Sequence, residues 1–346
     1  MATNGAAGLA SQSKAAPELV AEPMAFSPQW SPDGGSIIYH RRKARFDNEH
    51  DEMWIMDVAT AAQKALPFVG CLSYWVPAGN RDLILAAAGA YRLPTAAVGR
   101  ACGAYVFLTD RDGKEHGRLD YPGNAPAYVT AHGGIAKRDG SEILTFWAIM
   151  KPPIESELYI SDANLMNPRF LAKVGHFEVT RSQWSPDGTA LVYLHRGQRR
   201  LGAVSRFFDL WVLNGASGAE KKVTDNSYLG GLMPEPHVGE AWSQDGKSVI
   251  CVEPSPEGPC SLALVNVATG QPQEIASVQD EAWLVTYSPS YNHIAYVTPA
   301  GLWVADAKGK APQLLAPGAI TRYSWAPDGN GIVFDLTGKG IWIVRV

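Results

Sequence analysis

The groups best suited to chemistry in this 346-residue chain are imidazoles, carboxylates and guanidiniums gathered in a few irregular stretches. His195 and His237 are the candidate proton-transfer groups, with Glu240 and Glu253 as carboxylate partners. Imidazole titrates near neutrality, and a neighbouring carboxylate orients it, which is the minimal equipment of general acid–base catalysis. His40, Arg41, His176, Arg181, Trp283 and Arg322 form a complementary set of substrate-binding candidates, with cations to hold a polar or anionic molecule and an aromatic face to pack on it. The competing reading for each residue is ordinary surface charge, or a salt bridge tying neighbouring elements together. Acid–base chemistry of this kind needs no cofactor. A divalent metal is the lesser alternative, because Asp47-Asn48-Glu49-His50-Asp51-Glu52 is dense in oxygen and imidazole donors. No close histidine pair accompanies that run, so it reads more simply as a solvated loop.

The elements that must position these groups are repeats. Trp30-Ser31-Pro32-Asp33-Gly34 recurs as Trp184-Ser185-Pro186-Asp187-Gly188, Trp242-Ser243-Gln244-Asp245-Gly246 and Trp325-Ala326-Pro327-Asp328-Gly329. A second phrase, a short apolar run closing on Asp or Asn, ends at Asp57, Asp110, Asp162, Asn214, Asn266 and Asp306, and a seventh run ends at Arg345. The steps between those positions are 53, 52, 52, 52, 40 and 39 residues by subtraction. Multi-stranded units at this period indicate an all-β, seven-bladed propeller of four-stranded antiparallel blades. In each blade the innermost strand leads into the Pro-Asp-Gly turn, where Pro presets φ and Gly accepts a positive φ. A second strand, the counted run and a short outer strand follow.

The seventh run ends the chain and lacks a fourth strand. Pro17-Glu18-Leu19-Val20-Ala21 resembles the outer strand Pro312-Gln313-Leu314-Leu315-Ala316, so residues 17–22 are expected to complete the last blade. The expected organisation is a disordered tail over residues 1–16 and a single propeller over 17–346. The long segments His40 to Glu52, Ala88 to Ala104, His195 to Asp209 and Ser227 to Glu240 fall on the face opposite the Asp-Gly hairpins. Loops longer than a turn requires suggest a lid or pocket wall, so a functional site is expected on that face.

Two attractive signals are explained by the repeat. Ala241 to Ser248 matches a loose phosphate-loop pattern, but it is a hairpin copy and does not join a strand to a helix. Nine of the eleven tryptophans fill two repeat slots, which leaves Trp147 and Trp283 outside them. Cys71, Cys102, Cys251 and Cys260 make no Cys-x-x-Cys pair and read as idle thiols. The formal charge of −4 argues against a nucleic-acid partner. No stretch is long and apolar enough to span a membrane, and residues 1–16 lack the pattern of a signal peptide. The expected location is the cytoplasm.

The Trp-Ser-Pro-Asp-Gly repeat resembles the WD40-like repeat of TolB-like propellers, which also occurs in the propeller domains of prolyl oligopeptidases and in oligogalacturonate lyases. The resemblance runs from about residue 17 to the end and implies the fold. No Gly-x-Ser-x-Gly elbow of a hydrolase is present. The clustered-histidine metal motif of the lyases does not match here residue by residue. The resulting expectation is a small-molecule-binding propeller acting as a cofactor-independent lyase, isomerase or cyclase. The alternative is a non-catalytic scaffold that binds a partner protein at the loop face.

Overall fold

A computed structural model describes residues 16–42, 51–76, 83–88, 105–123, 129–149, 155–175, 177–196, 207–224, 228–229, 240–253 and 260–346. The expected N-terminal tail and most of the four long loops fall outside them. The described chain is all strand and turn, built as seven antiparallel blades around a central channel. Among the described residues no helix is long and apolar enough to cross a membrane.

The alternation of side chains along each strand sends one set to either flank of the blade. Ile37 therefore packs toward the seventh blade, and its neighbour Ile38 toward the second. The consequence is a core divided into hydrophobic clusters, one at each interface between adjacent blades, closing into a ring. Trp147 belongs to one of them. It is fully buried between the second and third blades and donates to Thr145 Oγ1.

Both repeated phrases have a local physical task. Ser31 donates to Asp33 Oδ1 (2.5 Å), which also accepts the Gly35 N–H (3.0 Å), while the Ser31 hydroxyl accepts the Ser36 N–H (2.9 Å). The fourth- and fifth-blade hairpins repeat this lock around Ser185–Asp187 and Ser243–Asp245. The tryptophan beside it joins blades: Trp75, Trp184 and Trp242 donate to the carbonyls of Gln29, Ile135 and Gln183 on the preceding blade. The Asp or Asn that closes each counted run accepts backbone N–H groups of the turn that follows, at 2.8–3.0 Å. Arg345 replaces it in the seventh blade, where no such turn exists. There the fourth strand is Glu18–Ala21, which pairs with Gly340–Arg345 as expected from the sequence.

Two joints depart from the plain repeat. The fourth strand of the first blade and the innermost strand of the second are one 14-residue strand, Gln63–Val76. At the seam between blades seven and one, buried Asp335 accepts from the Ser27 N–H, the Thr321 N–H and hydroxyl, and the Arg322 N–H. Cys251 and Cys260 are free, buried thiols in different inter-blade clusters.

Candidate functional site at the hairpin end of the channel

The innermost strands Ala25–Trp30, Gln63–Val76, Val129–Ala136, Phe177–Trp184, Trp283–Tyr287 and Ile320–Trp325 run toward the hairpins. The fifth blade places a short segment, Glu240 to Trp242, in the same position. Where these segments converge, a cavity of about 240 Å³ opens. Every blade contributes to its wall, through Pro32, Trp75, Arg138, Gln183, Glu240, Pro289 and Pro327 among others. At ~30 Å³ per water it has room for roughly eight waters, or a small organic molecule.

Most of the wall comes from regular hairpins, but the third and sixth blades carry divergent copies. In the third blade Ala136-Lys137-Arg138-Asp139-Gly140 makes the same turn, with Gly140 N–H bonded to Lys137 O and Lys137 N–H to Glu142 O. Arg138 thus stands in the proline slot. In the sixth blade Tyr287-Ser288-Pro289-Ser290-Tyr291 does the same, with Tyr291 N–H on Ser288 O and the Ser288 and Ser290 hydroxyls paired. Tyr291 stands in the glycine slot at φ 58°, where the other described copies have Gly34, Gly140, Gly188, Gly246 and Gly329. A left-handed tyrosine costs about 1 kcal/mol relative to glycine. Such a residue persists only where its surroundings enforce it, and these positions cluster at functional sites.

The two departures meet one carboxylate. The Arg138 guanidinium pairs with the Glu240 carboxylate, 102 residues away in sequence, and lies beside the Tyr291 hydroxyl. Backbone bonds on both sides hold Glu240 in place. Its N–H and C=O exchange bonds with Tyr287 of the sixth blade (2.9 and 2.8 Å). The next N–H, of Ala241, is held by Gln183 Oε1 of the fourth blade (2.8 Å). Burial pushes the Glu240 carboxyl above the ordinary carboxylate range, and Arg138 only partly pulls it back. Tyr291 is raised by burial and by the Glu240 charge, with Arg138 opposing, and burial beside Tyr291 pushes Tyr287 up to about 12. Burial and the Arg138 charge thus act in opposite directions on this carboxyl, and burial prevails.

Of the sequence-predicted residues with described side chains, Glu240 alone lines this cavity. The cavity lies at the hairpin end, not on the loop face expected to hold the site. His40 is buried, stacked on Phe26 with Nε2 3.0 Å from Ser73 Oγ, and ties the first blade to the second. Arg41 lies over the Trp54 ring at 5.0 Å. Glu253 closes the strand Ser248–Glu253, opposite Ser261. Trp283 packs against the cluster between blades six and seven. Arg322 gives its N–H to Asp335. Arg181 and His195 lie on paired strands of the fourth blade, but their side chains fall outside the described set. His176 and His237 are outside the described residues altogether. The described residues contain no group of three or more metal-ligating side chains, and of the run from Asp47 to Glu52 only Asp51 and Glu52 are described. Arg138 and Tyr291 escaped the sequence reading because their hairpins had lost the tryptophan. Aligning the degenerate copies by their turns would have exposed both.

No protein-family model matches the chain, and no curated protein sequence matches it. Solved structures do. An oligogalacturonate lyase in complex with manganese is 13% identical with a TM-score of 0.66, over 95% of this chain and 90% of that one. The oligogalacturonate lyase of Vibrio parahaemolyticus is 12% identical with a TM-score of 0.64, over 95% and 91%. The propeller domain of the Trilobed protease from Pyrococcus furiosus is 11% identical with a TM-score of 0.59, over 94% and 95%. Identities this low establish a shared architecture, and by these likenesses the chain has the seven-bladed propeller fold that its repeats imply.

Proposed function

We propose that this propeller binds a small polar or anionic molecule at the hairpin end of its channel and acts on it by cofactor-independent acid–base chemistry. The observation that carries the reading is the partly buried Glu240 carboxyl held against Arg138 in the cavity wall. Arg138 orients an anion and stabilises charge that develops on it. Glu240, its affinity for a proton raised by burial, exchanges a proton with the bound molecule. Tyr291 stands beside Arg138 and lends a hydroxyl. Lyase, isomerase and cyclase reactions at a carbon next to a carboxylate need these components. Propellers of similar architecture include lyases, which supports the reading as analogy of scaffold only.

The test is a thermal-shift and calorimetric screen of small carboxylates, sugar acids, phosphates and neutral polyols against the full chain. At least one compound is expected to stabilise the wild type and to lose its effect with Arg138→Gln. A screen in which every stabilising compound acts equally on Arg138→Gln, or none stabilises at all, removes the reading. The scaffold alternative draws on Met166 and Phe170, which are 57% and 54% exposed at the outer edge of the third blade. Charged substitutions there would weaken a protein partner and leave small-molecule binding intact.

A further inference from the structure

Building on the proposed site, we infer that it takes a small carboxylic acid by exchange: the ligand carboxylate replaces Glu240 on the Arg138 guanidinium, and Glu240 takes up a proton as it is displaced. Arg138 already grips a carboxylate, so its fork is set to the geometry of one. The two partners differ in freedom. Arg138 rides on a hairpin tip and is 37% exposed, so its long side chain can turn toward an incoming anion. Glu240 is 19% exposed and its backbone is fixed between the fourth and sixth blades, so it stays where it is.

The described groups facing Glu240 are Arg138 from the third blade and Tyr287 and Tyr291 from the sixth, with the neutral Gln183 amide from the fourth. Among them only Arg138 is a cation. When it turns to the ligand, a partly buried carboxylate is left without its counter-ion and beside a second negative charge. Burial and like charge both favour the neutral form. The proton comes from solvent and adds to a Glu240 oxygen, and no other bond is made or broken. The protein with ionised Glu240, plus one proton and one carboxylate, becomes the protein with neutral Glu240 and bound carboxylate. The site therefore admits the neutral acid overall, although it holds the anion, and it delivers Glu240 to the complex as an acid.

Acetate and malonate, titrated calorimetrically into the full chain in buffers of different ionisation enthalpy, test the exchange. Uptake of one proton per ligand is expected, with Kd rising by up to tenfold per pH unit through the range where free Glu240 is ionised, about tenfold being the limit for a single linked proton. Glu240→Gln should abolish that slope and bind malonate more tightly than the wild type at pH 8, because the competing carboxylate is gone. Arg138→Gln and the neutral probe acetamide should show no binding. A pH-independent Kd in the wild type overturns the inference without recourse to any variant, as does weaker binding by a folded Glu240→Gln. Arg138-dependent binding of inorganic phosphate or a polyol, without any carboxylate, overturns the inference and leaves the proposed function standing. Loss of Arg138-dependent binding for every class overturns both.

Discussion

The hairpins of the first, fourth and fifth blades and those of the third and sixth form the same turn for different ends. The first group spends its side chains on itself: serine locks aspartate, and aspartate locks backbone. The second group has surrendered part of that lock. The third blade has Lys137 where serine stands and Arg138 where proline stands. The sixth has Ser290 where aspartate stands and Tyr291 where glycine stands. Two of the changed positions, Arg138 and Tyr291, lie beside Glu240, and Arg138 lines the cavity. A repeat protein can lose stabilising residues in two copies because its neighbours share the load, and the lost positions become available for a site.

The largest effect should come from the regular copies. Trp242 is 1% exposed and bonds to the Gln183 carbonyl, so Trp242→Ala should lower stability by about 3–5 kcal/mol in urea unfolding. A loss below ~1 kcal/mol would mean that the repeat tryptophans are not the fasteners they are taken to be here. Next is the seam. Deleting residues 1–22 removes the strand that pairs with Gly340–Arg345 and should cost on the order of 3 kcal/mol, read as a lower melting temperature. An unchanged melting temperature would show that the seventh blade closes without it.

The divergent copies should behave in the opposite sense. Arg138→Gln and Tyr291→Gly should each change stability by no more than about 1 kcal/mol, and Tyr291→Gly can gain some of that by relieving the left-handed backbone. Both should weaken ligand binding at least tenfold, roughly the loss of one charge-assisted hydrogen bond. If either proves as damaging to folding as Trp242→Ala, the division of labour between hairpins fails.

The smallest effect is acid dependence. In the first blade burial works against the Asp33 charge, but Ser31, Gly35 and Arg111 outweigh it and hold its pKa down to about 2. Bonds from Ser185 and Thr189 lower Asp187, and bonds from Ser243 and Lys247 lower Asp245. A carboxyl depressed in the folded state stabilises fully above its unfolded pKa near 4, and that stability drains away as pH falls toward the folded value. Between about pH 4 and pH 2 the protein should therefore lose stability, and Asp33→Asn with Asp187→Asn should flatten that limb. The sixth-blade hairpin takes no part through this slot, since Ser290 does not titrate. Replacing Ser290 with Ala should leave the acid limb unchanged.

The architecture was legible because its signals are local. An indole that reaches the preceding blade, and an Asp or Asn that caps the next turn, act within a few residues or one repeat. They recur wherever the task recurs. Even the exception was readable: Arg345 stands where a turn cap is not needed. The site was legible only at Glu240. Its partners lie 102 residues upstream at Arg138 and 51 downstream at Tyr291, as the numbering gives, and only ring closure brings them together. Their hairpins were invisible to a search for tryptophan. His40 shows the converse, since a polar residue in an irregular stretch is a core tie between two blades.

The strand Gln63–Val76 has a mechanical consequence. It joins the first two blades into one seven-stranded sheet, so the described strands of the seven blades make six sheets. Residues 63–69 of that strand pair with Asp51–Asp57 and residues 70–76 with Leu83–Ala88, so one unbroken backbone hands over from the outer edge of the first blade to the inner edge of the second. The contact from Arg138 of the third blade to Glu240 of the fifth lies away from that covalent bridge, and depends instead on how separate sheets pack around the channel.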